Sequence, residues 1–245
     1  MINLLVNFRA FAVDLDGVMW EGERLLPGAR ELLRHSRDAG KRVAFLTNTV
    51  SLSRRGVIDK FRRLGIDDVD ESQVFSAGRA AGLFIARKKP GARVFVLGME
   101  GTIDEMRSCG LVPVDRGAEF VMIGVDREVT YERLKLACRE ALGGAELVAA
   151  NPDRSYPVED GPVPGCGCFK AFVECCAGRE AIVVGKPNPE IFRQAIEHLG
   201  VSPAEALMIG DNAEVDLVGA RAAGMPCVLV SADGPYRNLA DLLDG

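Results

Sequence analysis

FAVDLDGVMW, residues 11–20, runs from apolar residues into two carboxylates, Asp14 and Asp16, set two apart and followed at once by Gly17. Phe11 to Asp14 reads as a strand buried on both faces, because a short continuous apolar run bounded by a turn signal marks a strand of a parallel sheet. Gly17 lets the chain leave that strand sharply, which keeps both carboxylates at its carboxyl end. Open parallel sheets bind their ligands along that edge.

The same pattern returns along the chain. Val43 to Thr47, Val94 to Leu97, Phe120 to Val125, Leu147 to Ala149, Ala181 to Val184, Ala206 to Ile209 and Pro226 to Val230 read as further strands, with segments of helical period between several of them. Ala29 to Ala39 before Gly40, and Pro189 to Leu199 before Gly200, read as surface helices with a glycine just past the end. This alternation predicts an α/β fold on a parallel sheet. Residues 151–167, with four prolines and several glycines, read as a long irregular connection.

Of the 245 residues, 48% are hydrophobic and 27% charged, the mixture of an ordinary globular chain long enough for a sizeable core. A net charge of -5 gives no general attraction to nucleic acid or to an anionic membrane, so neither is expected as a partner. No apolar run approaches the roughly 20 residues of a membrane span, and Met1 to Ala10 lacks the charge, apolar run and cleavage site of a leader. A cytoplasmic location is the expectation. Seven cysteines, an odd number, read as reduced thiols, several packed as small hydrophobes; no CxxC and no nearby histidine completes a metal set around Cys166, Cys168, Cys175 and Cys176. His35 and His198 fall in surface helices and read as solvated, and Trp20 reads as packing.

Four strand ends carry polar groups that complement one another: Asp14 and Asp16, then Thr47 and Asn48, then Lys186, then Asp211 and Asp216. Gathered at one sheet edge, that many carboxylates repel unless a hard cation offsets them. An oxygen-only ligand set without histidine or cysteine selects magnesium over zinc. Lys186 and the Thr47 hydroxyl supply a positive charge and a directed donor for an anionic group. Phosphoryl transfer needs little else than positioning, charge neutralisation and a nucleophile, and aspartate is one such nucleophile. The opening pair then divides the work, one carboxylate attacking phosphorus and the other delivering and retrieving a proton. Taken singly, each motif has a plainer reading: Asp14 and Asp16 as turn residues, Thr47-Asn48 and Asp211 as helix caps, Lys186 as a surface lysine.

DLDGVMW, LTNT, GKPNPEIF and GDNAEVD, in this order over most of the chain, resemble the four motifs of the haloacid dehalogenase-like (HAD) hydrolase superfamily. Within it the chain is similar to subclass IIA, the NagD-like and 4-nitrophenylphosphatase-like phosphatases. The resemblance implies a Rossmann-like core made of residues 1–77 and 179–245, with an α/β cap inserted at 78–178. It implies a magnesium-dependent phosphatase acting on small-molecule phosphate monoesters (4-nitrophenyl phosphate, sugar phosphate or phosphoglycolate type) through an aspartyl-phosphate. Asp14 would be the nucleophile and Asp16 the acid and base; Thr47, Asn48, Thr49 and Lys186 would hold the phosphate. Asp14, Asp211 and the backbone carbonyl of Asp16 would ligate magnesium, with Asp216 acting behind them or through a water. Val215 stands where the subclass commonly has threonine, which puts a hydroxyl contact to Asp216 in doubt, and Thr49 fills the third place of a motif that often reads TNN or TNS.

Three other readings use related residues. A phosphomutase differs only in its product. A halide-releasing dehalogenase has no alkoxide to protonate and no charge for magnesium to offset, so Asp16 and Asp211 speak against it. A non-catalytic phospho-acceptor of the receiver kind is about half this length and has no inserted domain. A homodimer is the default expectation for assembly.

Overall fold

A strand buried along its whole length belongs inside a sheet covered on both faces, and that is where Ala10–Asp14 lies. The computed structural model describes residues 4–158 and 161–245; the first three residues of the amino-terminal stretch read for a leader, and residues 159–160 of the stretch 151–167, lie outside it. The chain divides into two compact units, one of residues up to 47, 57–75 and 186–245, the other of 48–56 and 76–185.

The first unit carries a five-stranded sheet in the order Cys227–Leu229, Ala206–Gly210, Ala10–Asp14, Arg42–Thr47, Val74–Ser76. Ala10–Asp14 pairs in parallel on both sides, with Ala206–Gly210 and with Arg42–Thr47. The chain builds outward on one side of the first strand and later returns on its other side, so the strand order reverses between Ala10–Asp14 and Ala206–Gly210. Ligands bind at the carboxyl ends of strands flanking such a reversal. Register completes the placement: Val13 lies opposite Ile209, so Asp14 and Asp211 leave adjacent strands at nearly the same height. Phe11, Val13, Phe45, Phe61 and Ile209 fill the core beneath them.

Helix Ala29–Asp38 runs to Gly40, whose φ of 63° suits a residue without Cβ. Pro189–Leu199 starts on Asn188, whose side chain accepts from the Glu190 N–H, and ends on a left-handed Gly200. Both match the sequence expectation to within a residue. The second unit repeats the architecture with a parallel sheet ordered Ile182–Val183, Glu146–Ala149, Phe120–Ile123, Arg93–Leu97, Val112–Pro113. Helices Ala77–Lys88, Glu100–Ser108, Tyr131–Leu142 and Cys166–Ala177 accompany it. Because Ile182–Val183 pairs with Val148 and Ala149, the second unit runs on to Gly185, past the expected 178.

Two sequence expectations are corrected. Residues 151–167 are not irregular throughout: Ser155–Val158 and Gly161–Pro164 form an antiparallel pair with Pro157 opposite Pro162. A two-stranded ribbon has an outward-facing edge on each strand, where proline's missing N–H removes no ladder bond. His35 is half-buried rather than solvated, and its Nε2 has no hydrogen-bond partner among the described residues. His198 is exposed and its ring lies 5.4 Å from that of Phe75. All seven cysteines are free thiols, with Cys138 and Cys166 buried. Among the described residues, no helix is long and apolar enough to cross a membrane.

Candidate active site

Asp14 is the last residue of its strand and is buried, whereas Asp16, two residues on, is exposed. The turn between them is tight: the Met19 and Trp20 N–H groups donate to the Leu15 carbonyl, and the Gly17 N–H to that of Trp20. Gly17 has φ 85°, and a Cβ built on it would stand 2.1 Å from Asp211 Oδ2. Glycine is therefore required twice over, for the left-handed backbone and for the close approach of Asp211. Gly17→Ala is expected to push the Asp211 carboxylate aside and lower turnover at least about 10-fold, with a stability loss of roughly 1–2 kcal/mol from the strained backbone. Wild-type turnover by a folded Gly17→Ala protein would show that the position of Asp211 does not matter.

Lys186 begins the last stretch of the first unit and is 2% exposed. Its Nζ lies 2.7 Å from Asp14 Oδ1 and 2.8 Å from Asp216 Oδ1. Asp216 is wholly buried, on the wide turn Ala213–Leu217, and its carboxylate reaches back to the start of that turn. There Asp216 Oδ2 accepts the N–H groups of Asp211 and Asn212, each at 3.2 Å. The carboxylate is thus satisfied by Lys186 and two backbone donors, and the hydroxyl that Val215 lacks is not needed to hold it. Asn212, which also caps the turn through the Glu214 and Val215 N–H groups, is a supporting residue inside the quoted GDNAEVD motif that sequence reasoning did not single out.

One oxygen each from Asp14, Asp211 and Asp216 lie within 4.8 Å of one another, a grouping able to hold a metal ion. Asp14 Oδ1 is already taken by Lys186 and by the Leu15 N–H, which leaves Oδ2 as its ligand atom. The electrostatics favour a cation beside these groups. Burial, then Asp216 and Asp211, push the Asp14 carboxyl up to about 8 despite Lys186, and burial followed by Asp216 raises Asp211 as well. Burial by itself would lower Lys186, but Asp14 and Asp216 outweigh it and hold the ammonium above its usual range. Three carboxylates around one lysine leave an excess of negative charge, and the donors are all oxygen, the set a hard divalent ion takes.

Asp16 is fixed differently. The Trp20 indole Nε1 donates to its Oδ1 at 2.9 Å, and Lys60 Nζ stands 3.8 Å from the same oxygen and 4.6 Å from the Trp20 ring centroid. Trp20 is buried and packs edge-on against Phe61, their ring centroids 4.8 Å apart. The packing expected of Trp20 thus also aims an exposed carboxylate. Nothing in the sequence marks Lys60, a lysine inside helix Arg54–Arg63 with no motif around it.

Thr47 is buried at the end of Arg42–Thr47, one place beyond Leu46, which lies opposite Asp14. Asn48 and Thr49 group with the second unit. There the Asn48 side chain and carbonyl bond to Asp153 and Asn151, and Thr49 Oγ1 lies 3.4 Å from Ser51 Oγ.

A buried carboxylate at a sheet reversal, salt-bridged to a lysine and flanked by further aspartates, is the arrangement of HAD-type hydrolases. Family models described as haloacid dehalogenase-like hydrolase and HAD-hydrolase-like match residues 11–112 and 183–239, and the chain belongs to this family. It is 34% identical over 224 residues to 5'-nucleotidase YutF of Bacillus subtilis, covering 91% of this chain and 87% of that one. Acid sugar phosphatase of Staphylococcus aureus is 34% identical over 225 residues, covering 91% and 86%. The crystal structure of 4-nitrophenylphosphatase from Thermotoga maritima superposes with a TM-score of 0.92 at 30% identity, covering 98% of both chains. The protein is a NagD-like HAD phosphatase, a hydrolase of phosphoric monoesters.

Proposed function

We propose that the chain is a magnesium-dependent phosphatase of small-molecule phosphate monoesters that works through an aspartyl-phosphate on Asp14. The observation that carries this reading is the buried Asp14, held by Lys186 through Oδ1 and grouped with the carboxylates of Asp211 and Asp216. In the first step an Asp14 oxygen attacks phosphorus while Asp16 gives its proton to the departing alkoxide. In the second, Asp16 takes a proton from water, which attacks the phospho-Asp14 and releases inorganic phosphate. Lys186 and the Thr47-Asn48-Thr49 turn hold the phosphoryl oxygens. Asp14, Asp211 and the Asp16 carbonyl hold magnesium, with Asp216 behind them, and the ion when bound neutralises the charge of the phosphoryl group. The contrast in burial between Asp14 and Asp16 suits their roles, since the proton shuttle needs access to leaving group and water. Free thiols on all seven cysteines suit the reducing cytoplasm.

The second unit is assigned as the cap, which reads the part of the substrate beyond the phosphate. Measuring phosphate release from 4-nitrophenyl phosphate, sugar phosphates, nucleoside monophosphates and phosphoglycolate, with magnesium and with chelator, tests the reading. Magnesium-dependent release from at least one class is expected, and equal release in chelator would overturn the metal's part.

A readout independent of turnover is the magnesium shift in thermal midpoint. The folded Asp14 pKa of about 8 lies above its ordinary 3.8, so its contribution to stability in metal-free protein is fully present below pH 3.8 and is lost as pH rises toward 8. Asp211 adds in the same direction. Magnesium needs these groups ionised, so it competes with protons. At roughly 100 times its dissociation constant it should raise the midpoint by about 5 °C or more at pH 8, and by less at pH 5.5. A shift that is equal at both pH values would mean that the ion binds elsewhere.

A further inference from the structure

Asn48, Asn151 and Asp153 close a ring of hydrogen bonds inside the second unit. Asn151 Nδ2 donates to the Asn48 carbonyl at 2.6 Å, the Asp153 N–H donates to Asn151 Oδ1 at 3.0 Å, and Asn48 Nδ2 donates to the Asp153 carboxylate at 3.1 and 3.3 Å. Asn151 is 3% exposed, so its amide has little water to turn to. The ring has a stiff mount. Asp153's carbonyl accepts the Gly167 N–H at 2.8 Å, and a Cβ on Gly165 would stand 2.3 Å from that same carbonyl oxygen. Gly185, the residue before Lys186, donates to the Ala150 carbonyl at 2.6 Å, and its missing Cβ leaves room for Asn48 Oδ1.

We infer that Asp153 is a positioning residue for phosphate binding, acting through Asn48 on the turn Thr47-Asn48-Thr49. The inference rests on the reading of that turn as the phosphate cradle. The ring fixes both the side chain and the carbonyl of Asn48. A trans peptide plane fixed at its carbonyl is fixed at its N–H, which points the opposite way, so the Thr49 N–H is aimed by the same contacts. Thr47 is joined to Asn48 by the preceding peptide bond. A cradle of donors is effective only when its donors are oriented before the anion arrives.

Two substitutions separate this role from its rivals. Asp153→Asn keeps an acceptor oxygen in place and removes the charge; Asp153→Glu keeps the charge and moves the oxygens by one methylene. Positioning predicts that Asp153→Asn stays within about 3-fold of wild type, while Asp153→Glu raises both KM for 4-nitrophenyl phosphate and the inhibition constant of inorganic phosphate about 10-fold, with kcat little changed. Asp153→Ala should match Asp153→Glu. Inorganic phosphate has no leaving group, so a residue that reads only the leaving group would change KM and leave phosphate inhibition untouched; that outcome overturns the proposal. So does the reverse ranking, Asp153→Glu normal and Asp153→Asn impaired, which would assign the effect to charge. The underlying reading is checked on its own by Thr47→Val, which must weaken phosphate inhibition in a chain whose ring is intact.

Discussion

Asp14→Asn is expected to abolish hydrolysis of 4-nitrophenyl phosphate, by roughly 10⁴-fold or more, in a protein that folds as well as wild type. The carboxamide has the same shape, and its oxygen can still accept from Lys186 and the Leu15 N–H, the two partners of Asp14 Oδ1. What it lacks is the electron pair of an ionised oxygen that can form a bond to phosphorus. Stability should not suffer, because burial and the neighbours Asp216 and Asp211 already make the Asp14 charge costly. Turnover and thermal midpoint measured on the same preparation decide the point. Undiminished turnover by Asp14→Asn would remove Asp14 as nucleophile, and activity lost together with the fold would leave the loss attributable to unfolding, to be resolved by acid-quench trapping of the phospho-enzyme in wild type.

Most of the frame was legible because its signals are local. The apolar runs that end at Asp14, Thr47, Ala149 and Ile209 predict strands that the structure contains, with ends shifted by a residue or so. The convergence of Asp14, Asp211 and Asp216 followed from a single rule, that parallel strands share their carboxyl edge, whereas Lys186 follows Ile182–Val183 of the second unit's sheet and reaches Asp14 without sharing that edge. The illegible parts depend on contacts between distant segments. Lys60 reaches Asp16 only because Trp20 packs on Phe61, the next residue in the same helix, and no spacing rule predicts that packing. The pairing of Ile182–Val183 with Glu146–Ala149, which carries the second unit to Gly185, is a choice of partner strand and leaves no mark in the short apolar run Ala181 to Val184. The ribbon Ser155–Val158 with Gly161–Pro164 was hidden by its prolines, which signal loops in isolation and are tolerated on outward edges.

Lys186 carries the second large effect, and it bears on stability as much as on chemistry. Its ammonium is the cation in direct contact with two carboxylates, Asp14 and Asp216, and lysine and Asp216 alike are withdrawn from water. A buried pair gains little over a well-packed apolar one, but removing one partner strands the other's charge where water cannot reach it. Lys186→Met, close in length and without charge, should therefore cost about 3–5 kcal/mol, roughly 10 °C in thermal midpoint for a chain of this size, in metal-free protein. Catalysis should fall by at least about 10²-fold even with magnesium present, since a charge that holds the phosphoryl group is gone. The stability loss has a specific cause, and a second substitution tests it: adding Asp216→Asn removes the stranded charge, so Lys186→Met with Asp216→Asn should be more stable than the sum of the single losses predicts, by 1 kcal/mol or more at about this separation. Additive losses would mean that Lys186 stabilises the protein through packing alone, and the electrostatic account of the site would fall with it.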